Sequence, residues 1–424
     1  VTVPTASRLD TLKVATGVLG PVLAGGVIKR RPKVMGLLEK AQADTSAVQI
    51  LQDLRAKYAA PLVRLAVPGR SFALVLSADE VGHVLAESPE PFSPANLEKR
   101  RALEKFQPHG VLISEGPERA RRREFTERAL ETPQPLHHLT PVVLRKVQEE
   151  VAALPTSGVL DWNQFAGVWW RAVRRIVLGD AARDDDTTTE LLGRLRSSAN
   201  WSYLSPRHKG LRERTLARVR AHLARAEAGS LAEAAGTTEE DAVDQVGHWL
   251  FAFDAAGMVT FRTLGMLATH PHARQLALEE VPSAPDLPYL RASVLETVRL
   301  WPTTPAILRD TTKEVEGLPE GTGLLIFAPF FHRDDQNLPY AHSFAPDIWL
   351  DGRAQENPAL VPFSAGPGEC PARNLVLMVT SVFLAKMLET RDYLLTSGQQ
   401  LGPATPLPST LDNFGMTFSV RPKR

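Results

Sequence analysis

The chain has 424 residues, enough to bury a large core and, at ordinary domain sizes, to form two or three domains. Lys plus Arg number 49 against 48 Asp plus Glu, a formal net charge of +1, which gives no electrostatic case for a nucleic-acid partner. A hydrophobic content of 43% argues against global disorder, and a single cysteine excludes an intramolecular disulfide and any cysteine-rich zinc or iron–sulfur site.

The first apolar run, Val14 to Ile28, is Gly-rich and precedes Lys29, Arg30, Arg31 and Lys33. It is short for a membrane span, has Pro21 at its middle and is followed by no small-residue cleavage site. We expect an N-terminal arm packed on the body of a cytoplasmic protein without a transmembrane span, with a peripheral membrane contact by residues 14–33 as the alternative. Leu62–Val67 and Phe72–Leu76 read as strands around the turn Pro68-Gly69-Arg70-Ser71. Ser77 and Glu80 have capping-box spacing and open a predicted helix to about Glu87. Residues 88–114 are irregular. Thr140 before Pro141 starts another helix, and Asp161–Leu178 is periodic up to Gly179. From Thr237/Thr238 to Thr269 the pattern predicts about 30 residues of helix, roughly 45 Å long, apolar on most sides and therefore central. A helix over Tyr289–Leu300, a strand over Gly323–Ala328, an irregular stretch from His332 to Pro362, a helix from Pro371 to about Glu389 and a hairpin-like tail, Pro406–Val420, complete the order. Helices dominate, and the elements do not alternate as in a doubly wound fold.

The lone cysteine lies in Phe363-Ser364-Ala365-Gly366-Pro367-Gly368-Glu369-Cys370-Pro371-Ala372. Two glycines and a proline make a tight loop, with Cys370 just before a predicted helix N-terminus that favours thiolate over thiol. A buried inert cysteine and a nucleophile are the other readings. No local His or acid pairing supports a nucleophile, and the loop favours a metal ligand.

This decapeptide resembles the heme-thiolate loop of the cytochromes P450: a Phe, a Gly three residues on, and Cys four after that. The resemblance implies Cys370 as axial ligand of heme iron, Phe363 as the cover of the sulfur, and Gly366 as part of the loop. Gly368 departs from the family, which usually has a basic residue there to meet a heme propionate. Glu296 and Arg299, three apart on one helix face, resemble the family's structural Glu-x-x-Arg pair. Its usual basic third member is absent, since Ile348 takes that place. Ala256-Gly257-Met258-Val259-Thr260 resembles the oxygen-activation sequence, with Gly257 admitting dioxygen and Thr260 donating to it. Val259 stands where the family has an acid, and Asp254, about 120° away on the wheel, does not replace it. Trp249, Phe253, Ala256, Gly257 and Thr260 share one stripe, expected to face the heme. Arg119 and Arg123 resemble the start of the propionate-binding helix, and Arg309 another propionate contact. Arg121 and Arg122 read as a solvated basic face or as a docking surface for an acidic redox partner.

The resemblance spans the Leu62 hairpin to the Val420 tail. It implies a mainly α cytochrome P450 fold, a triangular prism with a long central helix and a small β region (about 58–76, 303–330 and 405–422), as one domain over 1–424. It also implies heme b (iron protoporphyrin IX). The implied activity is a monooxygenase acting on a mid-sized, largely apolar small-molecule substrate, with electrons from a separate ferredoxin and ferredoxin reductase. Family position puts substrate contacts at Trp249, Phe253, Ala256, Thr303, Thr304, Ile307 and Phe414. A peroxygenase or non-oxygenating heme-thiolate enzyme, suggested by Val259, and a heme-binding protein without turnover are the alternatives.

Overall fold

Short apolar runs bounded by Pro, Gly and polar residues form eight strands in the computed structural model, which describes residues 3–201 and 206–423. They are β1 (Leu62–Leu65), β2 (Phe72–Val75), β3 (Phe92–Ser93), β4 (Gly158–Asp161), β5 (Ala306–Thr311), β6 (Gly323–Phe327), β7 (Arg391–Leu395) and β8 (Thr417–Pro422). Helix accounts for 56% and strand for 9%, so the class is mainly α. Residue contacts group the chain into two compact units, each discontinuous in the chain.

The first unit combines Val1–Arg101, Val298–Cys370 and Pro406–Asp412. Its sheet has the order β1-β2-β6-β5-β3. The β1–β2 hairpin turns at Gly69, whose φ of +76° suits glycine. β6 runs parallel to β2 and antiparallel to β5, and all five of its residues are buried, as a central strand requires. Ser77 accepts from the Glu80 amide at 3.1 Å and caps the helix Ala78–Ala86. Val14 and Val18 are fully buried in this unit's apolar core, so the N-terminal arm packs on the body, while Leu23 and Val27 stay exposed.

The second unit holds Ala102–Thr297, Pro371–Thr405 and Asn413–Arg424. Asp161 and Gln164 form a complete capping box for the helix Trp162–Leu178, which stops at Gly179 with φ +103°. The long helix runs over Glu240–Thr269 and ends before Pro271. It packs against Trp162–Leu178, Gly116–Leu130, Lys209–Arg225 and Arg373–Thr390. It is long and apolar enough to cross a membrane, and most of it is buried in the body. Rings of Trp162, Phe165, Trp169, Phe261, Phe383 and Phe418 lie 4.9–6.0 Å apart along this core.

The tail differs from its expected hairpin. Only β8 is a strand, placed centrally between β4 and β7. Prolines 406 and 408 cannot donate to a ladder, so the partners come from distant segments. The helix expected from Pro371 begins at Arg373, with Ala372 at the N-cap position and no side-chain cap, and Cys370 lies just outside it.

Candidate functional site

In the first unit the cysteine loop closes on itself. The Cys370 amide donates to the Phe363 carbonyl at 2.9 Å, and the Glu369 amide to the Gly366 carbonyl at 2.9 Å. Gly366 has φ +62°, and a Cβ there would lie 2.2 Å from the Leu85 carbonyl oxygen, so the loop sits directly on the end of the helix Ala78–Ala86. Only glycine meets both demands. Cys370 and Phe363 are half-buried, which keeps the thiol reachable.

Arg309 lies beside this loop on β5. It is 3% exposed, its Nε donates to Ser88 Oγ at 3.0 Å, and its Nη2 lies 3.3 Å from Ser364 Oγ. A Cβ on Gly368 would stand 2.7 Å from the same Nη2. The missing side chain at Gly368 therefore leaves the room that the Arg309 guanidinium fills.

Arg299 is fully buried and is held by carbonyls. It donates to His332, Tyr340 and Ser343 oxygens at 2.6, 3.1 and 2.9 Å. His332 locks the same corner: its ring bonds the Arg299 carbonyl at 3.2 Å and accepts from the Val361 amide at 3.0 Å. Burial pushes its pKa down to about 3, so it is neutral. Backbone carbonyls of the irregular stretch thus surround Arg299, while Ile348 is buried in that stretch's own apolar cluster. Glu296, on the same helix Pro288–Leu300, is also fully buried.

In the second unit Thr260 is fully buried, and its Oγ1 donates to the Ala256 carbonyl at 2.8 Å. Trp169 packs directly on Gly257, where a Cβ would be 2.8 Å from the indole Nε1. That nitrogen donates to the Phe253 carbonyl at 2.8 Å. The Cβ direction of Gly257 is therefore filled by an indole. Asp254 is tied to Arg196 at 2.7 Å, and Val259 is 3% exposed.

Two residues of the expected pocket stripe pack against aromatic side chains of neighbouring helices. Trp249 is 3% exposed and stacks on Phe125 at 6.0 Å, while Phe253 is 1% exposed beside Trp169. His248, Phe251, Ala252, Asp254 and Ala255 are the half-buried residues of this part of the long helix. Ile307 belongs to the first unit's apolar core. Thr304 is exposed, and the Thr303 carbonyl accepts from Arg30 at 2.8 Å. Phe414 is half-buried and edge-on to Trp162 at 5.2 Å.

Arg119 is buried and donates to the Val111 carbonyl at 3.2 Å. Burial, then the neighbouring Arg123 cation, lowers its pKa. Arg123 pairs with Glu127 at 2.5 Å. Arg122, expected on a solvated face, is 7% exposed and binds Asp241 at 3.0 Å and Ser114 at 2.8 Å. Arg121 also reaches Asp241. Only the acidic character of the long helix's first turn hinted at this clamp in the sequence.

A reachable cysteine sulfur on a rigid loop, with a buried guanidinium beside it, fits an iron porphyrin that carries carboxylates.

The architecture is that of the cytochromes P450. A crystal structure of a cytochrome P450 (CYP102L1) superposes with a TM-score of 0.71 over 89% of this chain and 94% of that one, at 16% identity. A family model described as cytochrome P450 matches residues 222–412. A probable cytochrome P450 4d20 of Drosophila melanogaster is 31% identical over 39% of this chain and 36% of its own length. The beta-amyrin 24-hydroxylase of Glycine max is 31% identical over 32% of each chain. The cyclooctat-9-en-7-ol 5-monooxygenase of Streptomyces melanosporofaciens is 30% identical over 35% of this chain and 37% of its own. These matches span about a third of the relatives' lengths. The fold is thus that of the cytochromes P450, and the sequence is similar to that family over residues 222–412.

Proposed function

We propose that the chain is a heme-thiolate monooxygenase that inserts one oxygen atom from dioxygen into a largely apolar organic substrate. Bound heme would supply the redox chemistry. The protein's part is to hold the iron through Cys370, cover the sulfur with Phe363 and meet propionates with Arg309, Arg119 and Arg123. The observation that carries this reading is the closed Phe363–Cys370 loop with Arg309 filling the place left by Gly368. Separate proteins, a ferredoxin and its reductase, would deliver electrons, and the protein would work in the cytoplasm. The relatives named above as a hydroxylase and a monooxygenase support the reaction class.

The test is the carbon monoxide difference spectrum of the reduced, heme-loaded protein. The thiolate-shifted Soret band that gives the family its name is expected, and Cys370→Ser should abolish it. Retention of the band in that variant would overturn the ligand assignment.

A peroxide-driven reaction is the second reading. It is favoured by Val259 in the acid position and by Asp254 held on Arg196. Turnover with hydrogen peroxide, and none with NADPH plus a surrogate ferredoxin system, would select it.

A further inference from the structure

We propose that Glu80, His83 and Glu316 bind a divalent transition metal such as zinc, which clips the helix Ala78–Ala86 to the turn that follows β5. The site lies within the first unit and does not depend on the heme reading.

Two elements bring the donors together. Glu80 and His83 are three apart, on one face of the helix Ala78–Ala86. Glu316 comes from the turn closed by the Val315 and Leu318 amides, which donate to each other's carbonyls at 3.0 and 2.8 Å. One donor atom from each of the three lies within 4.8 Å of the others. His83 Nε2 is 3.9 Å from Glu316 Oε1 and 3.9 Å from Glu87 Oε2. At that distance neither pair is a hydrogen bond. Phe92, 1% exposed, stands edge-on to the His83 ring at 5.6 Å and gives it a rigid backing.

The Glu80 carboxylate carries the argument. The capping box suggested by Ser77 and Glu80 is only half built: Ser77 Oγ accepts from the Glu80 amide, but the Glu80 side chain makes no bond back to the Ser77 amide. Its Oε1 is buried and has no hydrogen-bond partner among the described residues. Burial, and then the Glu316 carboxylate, raise its pKa. Among the described residues no lysine or arginine pairs with Glu80, Glu87 or Glu316. A buried carboxylate oxygen without a partner, facing a second carboxylate, is costly, and a cation between them removes both costs.

A second group with ligand spacing, Glu131, His137 and His138, shows the contrast. There His138 Nδ1 pairs with Glu131 Oε1, and His137 Nδ1 accepts from the Leu139 amide at 3.1 Å, so its donors are already used. At Glu80, His83 and Glu316 they are not. One imidazole nitrogen with two carboxylates suits zinc better than calcium, which takes six to eight oxygens. Zinc would hold these donors roughly 3.4 Å apart, a closure that half-exposed side chains can make, with water completing the shell.

The test is calorimetric titration of untagged, heme-loaded, chelator-stripped protein with zinc chloride, repeated with calcium chloride. Wild type should show one saturable zinc site and bind calcium at least about tenfold more weakly. His83→Gln should weaken zinc binding by about a hundredfold and Glu316→Gln by about tenfold, since loss of a ligand costs at least as much as loss of a group that orients one. His138→Ala, in the other group, should leave the isotherm unchanged. Circular dichroism of each metal-free variant checks that the fold is kept, and either of the two site variants suffices if the other does not fold. No saturable zinc site in wild type, equal affinity for calcium, or binding lost in His138→Ala but kept in the site variants would overturn the proposal. The carbon monoxide spectrum reports the heme reading separately, and its failure leaves the zinc result standing.

Discussion

Gly257→Ala separates two reasons for a glycine in the long helix. If the glycine serves only to admit dioxygen, alanine leaves stability unchanged or improves it. The structure gives a packing reason: the new Cβ would lie 2.8, 3.0 and 3.2 Å from three indole atoms of Trp169. That indole cannot give way, being 1% exposed and lodged among Phe165, Phe253 and Phe383. Overpacking costs about 1–3 kcal/mol. Pushing the indole off the Phe253 carbonyl strands a buried N–H for about another 1–3 kcal/mol. Better helix propensity returns about 1 kcal/mol. The net loss is roughly 3 kcal/mol, which for a chain of this length, at ~1 °C per kcal/mol, lowers Tm by about 3 °C. Thermal unfolding followed by circular dichroism reads this directly. Trp169→Phe makes room, so Gly257→Ala/Trp169→Phe should lose about 1–2 kcal/mol less than the two single variants added together. An unchanged Tm for Gly257→Ala, or strict additivity in the double variant, would refute the packing argument.

Three further outcomes follow from other sites. Gly366→Ala meets both a left-handed backbone and the Leu85 carbonyl, so it should cost about 2–4 kcal/mol and lower the yield of thiolate-ligated protein; a wild-type Tm would contradict this. Asn413 is fully buried, with neither end of its amide hydrogen-bonded among the described residues, so Asn413→Leu should raise stability by about 1–2 kcal/mol. A fall in Tm would mean that the amide pairs with a buried water or ligand. Glu150 accepts from Arg171, Arg175 and Arg183 at 2.6–3.0 Å. Burial alone would raise its pKa, but the bonds from Arg183, Arg171 and Arg175 together hold it below the ordinary glutamate value. Its stabilisation is complete above the unfolded pKa of about 4.3 and fades as pH falls through the lower folded value. Glu150→Ala should cost about 3 kcal/mol at pH 7, with a gap to wild type that narrows below about pH 4. A pH-independent gap in denaturant titrations would count against the carboxylate as its source.

The elements were legible wherever local chemistry closes within a few residues. The stop at Gly179, the Ser77 cap, the stop at Pro271 and the Phe363–Cys370 loop each depend on neighbours in the chain, and the structure has them where the sequence put them. The strand β4 was not legible. Its four residues carry only two apolar side chains, and its pairing depends on a tail more than 250 positions away.

Sequence alone therefore determined the mainly helical class, the long apolar helix and the cysteine in its Gly-Pro-Gly turn, because backbone propensity and capping are local. Tertiary structure decided which way each side chain faces. Helical spacing grouped Trp249 with Phe253 correctly, but a wheel has no absolute orientation, and only Phe125 and Trp169 show that both rings are enclosed by neighbouring helices. The same holds for charge. Arg122 reads as a solvated cation until Asp241, brought from far along the chain, buries it in a pair.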